Sequence, residues 1–473
     1  MAGSLSRRIV KVMGLFSGLQ CVNIVCSIVK MKLVALWLHA AGVALFGIFQ
    51  SAMETIAVFT DLGLRQSTVR DVAKNAGSPS LLARIATVVR RWSVLAGLLG
   101  ATVMLSASPF LGKWFFGSYS RFGGFAAVAV AMFLNCLLYG EQSLLQGTGR
   151  LRQLAKASLW GTLLGLALSV PLFRWMGLDS VVLSIILYSL CIYGFTLLYR
   201  FRPEEKPQNP GLRQLWREGQ GFVRLGVAMS LAGFLTSLSH LAFIALLTAM
   251  SSIEEVGYFQ AGDTLITRYI GLIFTAIGVE FFPRLVTAEK SRRRMGLFVN
   301  HEITLLLLVV TPVATLFIAM RSLIVEILYS GTFAVIIPFI TLAVTSCVLK
   351  AASWCMAYCF IARGDGRTYV TVEGIDALIS LPVLLLGYRW GELEGIGWAY
   401  LVWYALYTLI VWIFYRFKYG LTLSRTTMLT ILFAAAACAV TVIAARTLPG
   451  WATIAIALCV SAGCVVPLRR LLR

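Results

Sequence analysis

The sequence predicts an all-α polytopic membrane protein of about fourteen transmembrane helices, two six-helix lobes followed by two further helices. Three observations predict this class. Apolar runs of roughly 18–25 residues recur along the chain, each long enough to cross a hydrocarbon core about 30 Å thick. Basic residues crowd one side of those runs. Short motifs of the first half return in the second. Of the 473 residues, 59% are hydrophobic and 13% charged, and the mean hydropathy is +0.85. The runs are continuous, without the period-two alternation that a membrane barrel requires.

The spans are read near 9–29, 39–60, 93–111, 122–142, 157–173, 180–199, 223–249, 256–282, 302–320, 334–361, 372–388, 395–415, 427–445 and 451–467. Arg7, Arg8 and Lys11 precede the first run, which lacks a small-residue cleavage site and so reads as span 1 and not as a removed signal. With the N-terminus inside, about 31 of the 41 basic residues fall on the cytoplasmic side, which also places the C-terminus there. Among them are Arg65, Arg70, Lys74, Arg84, Arg90, Arg91, Arg200, Arg202, Lys206, Arg292, Arg293 and Arg294. Two longer connections stand out: 61–92, read as an amphipathic interfacial helix, and the segment around RPEEKPQNPG. The organisation that follows is an N-terminal lobe at 1–200, a cytoplasmic linker with an amphipathic segment at 201–222, a C-terminal lobe at 223–418, and two additional helices at 419–473.

The net charge of +21 is accounted for by cytoplasmic loops lying against anionic lipid, so nucleic acid is not expected as a partner. The ten cysteines fall in or beside apolar runs, with no zinc or redox spacing. With only three scattered histidines, no metal site is expected.

Span 2 carries GIFQSAMETI from Gly47 and span 8 carries GYFQAGDTLI from Gly257, an offset of 210 residues. LQGTGR, ending at Arg150 after span 4, returns as IARGDGR, ending at Arg367 after span 10, an offset of 217. Each half holds an even number of spans, so the repeats are parallel, a transporter architecture with its substrate site between the halves.

Charged side chains inside spans are the candidate site. Arg at the centre of a span costs about 2.5–3.5 kcal/mol on insertion scales, yet Arg268 lies mid-span 8. At heptad-like spacing it shares a face with Gly257, Ala261, Thr264, Gly271, Thr275 and Gly278, small residues that let protein or a cavity approach. Asp263 is about 140° away around an ideal helix and so is not a simple partner for it. The repeat sets Glu54 of span 2 on the matching face, either as a permanent ion-pair partner of Arg268 or as part of an anion site with it. Lys350, near the middle of span 10, lies on the side of Ala343, Ser346, Ser353 and Ala357, which points it inward, to bind an anion or to pair with an acid. His240 of span 7, beside Thr236 and Ser237, is a satisfied core histidine or a further contributor to the substrate site. Glu141, Glu280 and Glu302 lie near inner span ends, where basic loop residues are the default partners. Glu373 and Asp376 begin span 11, where a helix N-terminus favours acids.

GVALFGIFQS, DLGLRQSTVRDVAK, LLQGTGRLRQLAKAS, EEVGYFQAGDTLITRYIGLIFTAIGVEFFPRL, ILYSGTF and IARGDGRTYVTVEG together resemble the oligosaccharide flippases of O-antigen and capsule synthesis. These belong to the multidrug/oligosaccharidyl-lipid/polysaccharide superfamily, which also holds the MATE drug exporters and the lipid II flippases. The similarity runs over nearly the whole chain, through topology and diffuse pattern. It implies a MATE-like fold with a central cavity between two lobes, in the bacterial inner membrane. The implied substrate is an undecaprenyl-pyrophosphate-linked oligosaccharide, an O-antigen or capsule repeat unit in the polysaccharide and lipopolysaccharide pathways, turned to the periplasmic leaflet by alternating access. The resemblance further implies a monomer that works beside a polysaccharide polymerase and a chain-length regulator.

In that reading Arg268 and Lys350 meet the pyrophosphate, and Tyr258, Phe259, Tyr269 and Trp354 are candidates for stacking on sugars. No cofactor is expected, since the chain has no GxxxxGK[ST] loop. The energy sources left are the membrane potential and H+ or Na+ coupling through Glu54 or Asp263. The alternatives are a MATE-like ion-coupled exporter, a lipid II-type flippase, or a membrane enzyme. Two basic residues within spans argue against a cation exporter. Short outer loops without a DxD motif argue against an enzyme.

Overall fold

The computed structural model describes residues 24–472, apart from 62–67, 70–71, 73–74, 76–77, 118–121, 204–211 and 290. The described chain is helical throughout. We number the helices α1 (24–37), α2 (His39–Asp61), α3 (Pro79–Phe116), α4 (Gly123–Gly147), α5 (Leu151–Met176), α6 (Ser180–Leu198) and α7 (Leu212–Met250). There follow α8 (Ile253–Thr287), α9 (Arg292–Ala319), the short α10 (Arg321–Leu328), α11 (Ile337–Ala343), α12 (Ser346–Ala362), α13 (Gly366–Ile413), α14 (Arg425–Thr447) and α15 (Gly450–Leu472).

Ten helical segments among the described residues are long and apolar enough to cross a membrane, and a bent pair around α11 and α12 makes an eleventh. Two of the ten are of double length, at 48 and 53 residues, where one crossing takes about 20. The first is the hairpin of α5 and α6, which pack on each other. The second is α13, whose backbone leaves helical geometry at Gly391 and Glu392. There the chain doubles back so closely that a Cβ on Gly395 would lie 1.9 Å from the Gly387 carbonyl oxygen. Only glycine permits that approach. Counting both hairpins, thirteen crossings lie among the described residues. The predicted fourteenth, at 9–29, falls largely outside them.

Two compact units emerge, Met1–Glu254 and Glu255–Arg473. In the first, α3 packs on α4, α4 on α6, and α7 on both α2 and α3. Thus α7, which the sequence assigns to the C-terminal lobe, is placed with the first unit, and the division falls in the first turn of α8. In the second unit α9 is the hub, contacting α12, α14 and α15. Polar clasps hold α14 there. Asn300 accepts from the Ser424 amide at 2.7 Å and donates to the Thr422 carbonyl at 2.9 Å. Toward the other end of α14, Arg321 donates to the Ala445 carbonyl at 2.6 Å.

The sequence reading needs two local corrections. The stretch 79–92, expected in an interfacial helix, is the opening of the continuous 38-residue α3. The amphipathic end of the linker, from Leu212, likewise continues unbroken into α7. In both cases nothing in the sequence breaks the helix: the basic residues there are good helix formers, and no proline interrupts.

Arg90 shows why the helix extends. From α3 it makes a bidentate pair with Glu141 of α4, Nε to Oε1 at 2.6 Å and Nη2 to Oε2 at 3.1 Å, and Nη2 also donates to the Phe201 carbonyl at 2.7 Å. Glu141 is only 5% exposed. Removing one member of a buried pair leaves the other uncompensated, at a cost of about 3–5 kcal/mol. Arg90→Ala is therefore expected to lower the thermal midpoint of the detergent-solubilised protein markedly, and Glu141→Gln in the same chain to restore part of it. An unchanged midpoint in Arg90→Ala would show the pair contributes nothing.

The repeated turns QGTGR and RGDGR are one structure built twice. Gly149 and Gly364 take φ of +71° and +70°, the left-handed cap that ends many helices. The next amides close the same loop, Arg150 N to Leu145 O and Asp365 N to Phe360 O, both at 2.9 Å. The structural offset is therefore 215 residues, two fewer than the trailing arginines suggest, and Asp365, not Arg367, stands opposite Arg150. Asp365 caps α13 through the Thr368 amide at 3.0 Å and accepts from Lys418 Nζ and Tyr419 Oη, both at 2.7 Å. Partial burial pushes its carboxyl up, but these hydrogen bonds outweigh that and hold it below the ordinary carboxylate range. A depressed carboxylate stabilises the fold above its unfolded value, about 3.9, and loses that contribution as the pH falls through the folded one. Asp365→Asn should melt below the wild type at pH 7, with the gap closing as the pH drops below about 4. A gap independent of pH would assign the effect to packing.

Candidate functional site

The charged residues singled out from the sequence fall in different units. Glu54 and His240 are in the first. Glu54 is exposed on α2 and accepts from Gln50 Nε2 at 3.1 Å. Beside it, the Thr55 hydroxyl lies 3.2 Å from the Ser237 carbonyl of α7, one turn before His240, which pins α2 to α7. His240 itself is half-buried.

Arg268, Lys350 and Asp263 are in the second unit, on α8 and α12. The α8 segment does not have the geometry that the sequence stripe assumes. From Thr264 to Ile270 it is a π-helix, a widened turn that recurs at functional sites. Thr267 Oγ1 supports it by donating to the Asp263 carbonyl at 2.8 Å. The widening breaks the heptad register. Gly257 and Ala261 are buried, whereas Arg268 and Thr275 are exposed, so the stripe is not one environment. It also removes the basis for the 140° separation of Asp263 and Arg268, which holds only for ideal α geometry. Arg268 lies within electrostatic reach of Tyr269 and Tyr329.

Asp263 is 7% exposed. Its Oδ1 accepts from Tyr400 Oη at 2.6 Å, and Thr267 Oγ1 stands 3.4 Å from its Oδ2. Lys350 lies just past the 49° bend that joins α11 to α12. Ala343, Ser346, Ser353 and Ala357 around it are buried, and Lys350 is half-buried. Its Nζ is 5.4 Å from the Phe274 ring centroid and 5.6 Å from that of Tyr404, within range of a cation–π attraction. It is also within hydrogen-bonding reach of the Tyr404 hydroxyl and electrostatic reach of Asp263.

The second leg of α13 organises these groups. Tyr400, Trp403, Tyr404 and Tyr407 follow i, i+3, i+4, i+7 spacing, which puts four polar-tipped aromatics on one helix face. Tyr400 holds Asp263 and Tyr404 faces Lys350. Trp403 Nε1 donates to Asp376 Oδ1 at 2.7 Å and Tyr407 Oη to Glu373 Oε1 at 2.7 Å. Glu373 and Asp376 are not at a helix N-terminus, as their place at the start of span 11 suggests. Asp365 occupies that cap, and Asp376 is 6% exposed. Asp263, Asp376 and Glu373 thus each meet an aromatic donor, and Lys350 faces aromatic rings. This ladder was missed in the sequence, although AYLVWYALY displays its spacing.

The other acids lie near basic residues of the helices themselves. Glu280 pairs with Arg284, and Glu302 lies near both. The aromatics proposed for sugar stacking are largely committed to packing. Phe259 is fully buried against Phe339, with centroids 5.9 Å apart. Tyr258 meets Phe333 at 5.3 Å, and Trp354 lies between Phe274 and Tyr358.

Against known proteins, the family described as polysaccharide biosynthesis protein matches residues 42–338. Lipid III flippases of Escherichia coli (strain K12) and Shigella flexneri are each 22% identical over 396 residues, covering 80% of this chain and 90% of theirs. Among solved structures, the lipid II flippase MurJ in an inward closed conformation superposes with a TM-score of 0.73 at 11% identity, covering 97% of this chain and 100% of that one. An inward-facing MATE family transporter of the MOP superfamily gives 0.67 at 14% identity, covering 84% and 94%. At such identities the structures establish a shared fold, the all-α polytopic one expected. The family match spans well over half of the sequence, including α2, α8 and the start of α11. The chain belongs to the polysaccharide biosynthesis protein family.

Proposed function

We propose that this protein is a flippase that carries an undecaprenyl-pyrophosphate-linked oligosaccharide, an O-antigen or capsule repeat unit, from the cytoplasmic to the periplasmic leaflet of the inner membrane. The observation that carries the reading is Lys350: an ammonium set at a bend, among buried alanines and serines, in the interior of an apolar unit. A group that expensive to keep in a span marks a pathway for a polar substrate, and its sign suits a pyrophosphate. The family match and the flippase relatives support the same direction. Arg268, exposed on the π-helical turn, is the second cation of the site. Asp263, within electrostatic reach of Lys350, is the acid assigned to it.

The headgroup is the part of such a lipid that resists entering hydrocarbon, while its prenyl tail stays in the bilayer. Guanidinium and ammonium donors replace the water that the phosphates lose. Outward movement of negative charge across an inside-negative membrane gains about 2.3 kcal/mol per charge per 100 mV. Proton exchange is a further source. Asp263, buried and within electrostatic reach of Lys350, is the acid through which it would run.

The test is translocation of a fluorescent prenyl-pyrophosphate oligosaccharide in vesicles, read by the accessibility of the sugar to an added glycosidase. Lys350→Ala and Arg268→Ala should each slow translocation tenfold or more at equal protein level, and Tyr404→Phe should slow it less. Wild-type rates in both alanine variants would remove the headgroup assignment. Abolishing the membrane potential and the pH gradient separately identifies the energy source.

A further inference from the structure

The duplicated turn reverses charge between the units at the position after the left-handed glycine. In the second, the position after the left-handed glycine is Asp365, which neutralises Lys418 and is enclosed by Tyr419 and Thr368. In the first, that position is Arg150. In both units an aromatic ring stands over an arginine of the turn, although Arg363 corresponds to Thr148 and not to Arg150. The Arg150 guanidinium lies 4.9 Å from the Phe201 ring centroid, as that of Arg363 lies 5.0 Å from the Tyr419 ring. Phe201 follows the second leg of the α5–α6 hairpin and Tyr419 the second leg of the α13 hairpin, and both are buried, at 6% and 8% exposed.

Where the second unit places its own carboxylate, the first unit has a cavity of about 240 Å³ lined by Arg150, Arg202, Thr148, Phe201 and the Pro79 turn, among others. That is several times the ~30 Å³ share of one water molecule. Its donors are the two guanidinium groups, since the Thr148 hydroxyl is spent on the Leu144 carbonyl at 2.7 Å. α3 begins at Pro79, which lines the cavity, without a side-chain cap, and α5 starts immediately after Arg150. Both helix dipoles add positive potential. The floor is rigid, because the Phe201 carbonyl is held by Arg90, itself locked to Glu141.

The geometry points to a phosphate-binding site in this cavity, in which a phosphate group supplies the negative charge that Asp365 supplies in the second unit. Arg150 and Arg202 offer the forked donors that grip such oxygens two at a time. The source is either the headgroup of an anionic phospholipid or a free phosphate. The site is independent of the transport reading and uses none of its residues.

The experiment uses the purified full-length chain in a neutral detergent. Water-soluble dioctanoyl phosphatidate, inorganic phosphate and uncharged dioctanoylglycerol are titrated in turn, and binding is read by thermophoresis. Saturable one-to-one binding of phosphatidate alone identifies the lipid headgroup, and equal binding of inorganic phosphate identifies the ion. Arg150→Ala should weaken either at least tenfold. Arg150→Lys, which keeps the charge but not the fork, should weaken it less and serves if the alanine variant does not accumulate. Arg293→Ala/Arg294→Ala, exposed on α9, should have no effect. The proposal falls if neither probe saturates or if the α9 variant weakens binding equally.

Discussion

A hydrocarbon interior offers no hydrogen bonds, and the placement of this chain's polar groups follows from that constraint. Hydroxyls within the spans mostly donate back to a carbonyl a turn earlier, as Thr196, Thr315 and Thr441 do. Side chains that cannot be satisfied within their own helix bring two helices together. Arg90 joins α3 to α4 through Glu141, and Asn300 joins α9 to the chain entering α14. In the second unit the requirement becomes a ladder, where one face of α13 supplies hydroxyl and indole donors to acids on α8 and on its own first leg.

The same constraint explains why irregular backbone gathers around the intramembrane charges. A π-helical turn carries Arg268, and a bend precedes Lys350 by a few residues. Each departure from α geometry leaves carbonyls or amides needing another partner, and each has polar side chains close by to offer one, Thr267 at the first and Ser346 and Thr345 at the second. Irregularity and charge occupy the same places because each helps to satisfy the other.

The two units share a turn of the same backbone geometry with different chemistry. With aspartate, the turn closes on a neighbouring lysine and tyrosine. With arginine, it opens a basic cavity. The backbone hydrogen bonds that close the turn are the same in both, so the difference lies in the side chains, and the charge reversal from Arg150 to Asp365 is the one that changes what the turn requires.

The sequence by itself determined the class, the crossings and the repeat, because hydrophobic length and charge asymmetry are properties of composition along the chain and need no neighbours. It also marked Arg268, Lys350 and Asp263, since a charge inside an apolar run is visible without a structure. The tertiary structure decided the rest. The π-helical turn cannot be read from a pattern that presumes 3.6 residues per turn. The partners of Asp263, Asp376 and Glu373 lie on a leg of α13 that reaches them only by doubling back at Gly391. The pairing of Arg150 with Asp365 depended on backbone hydrogen bonds, since aligning the arginines in sequence set the wrong residues opposite each other. Long-range contact and backbone conformation arise from packing, and packing has no local signature.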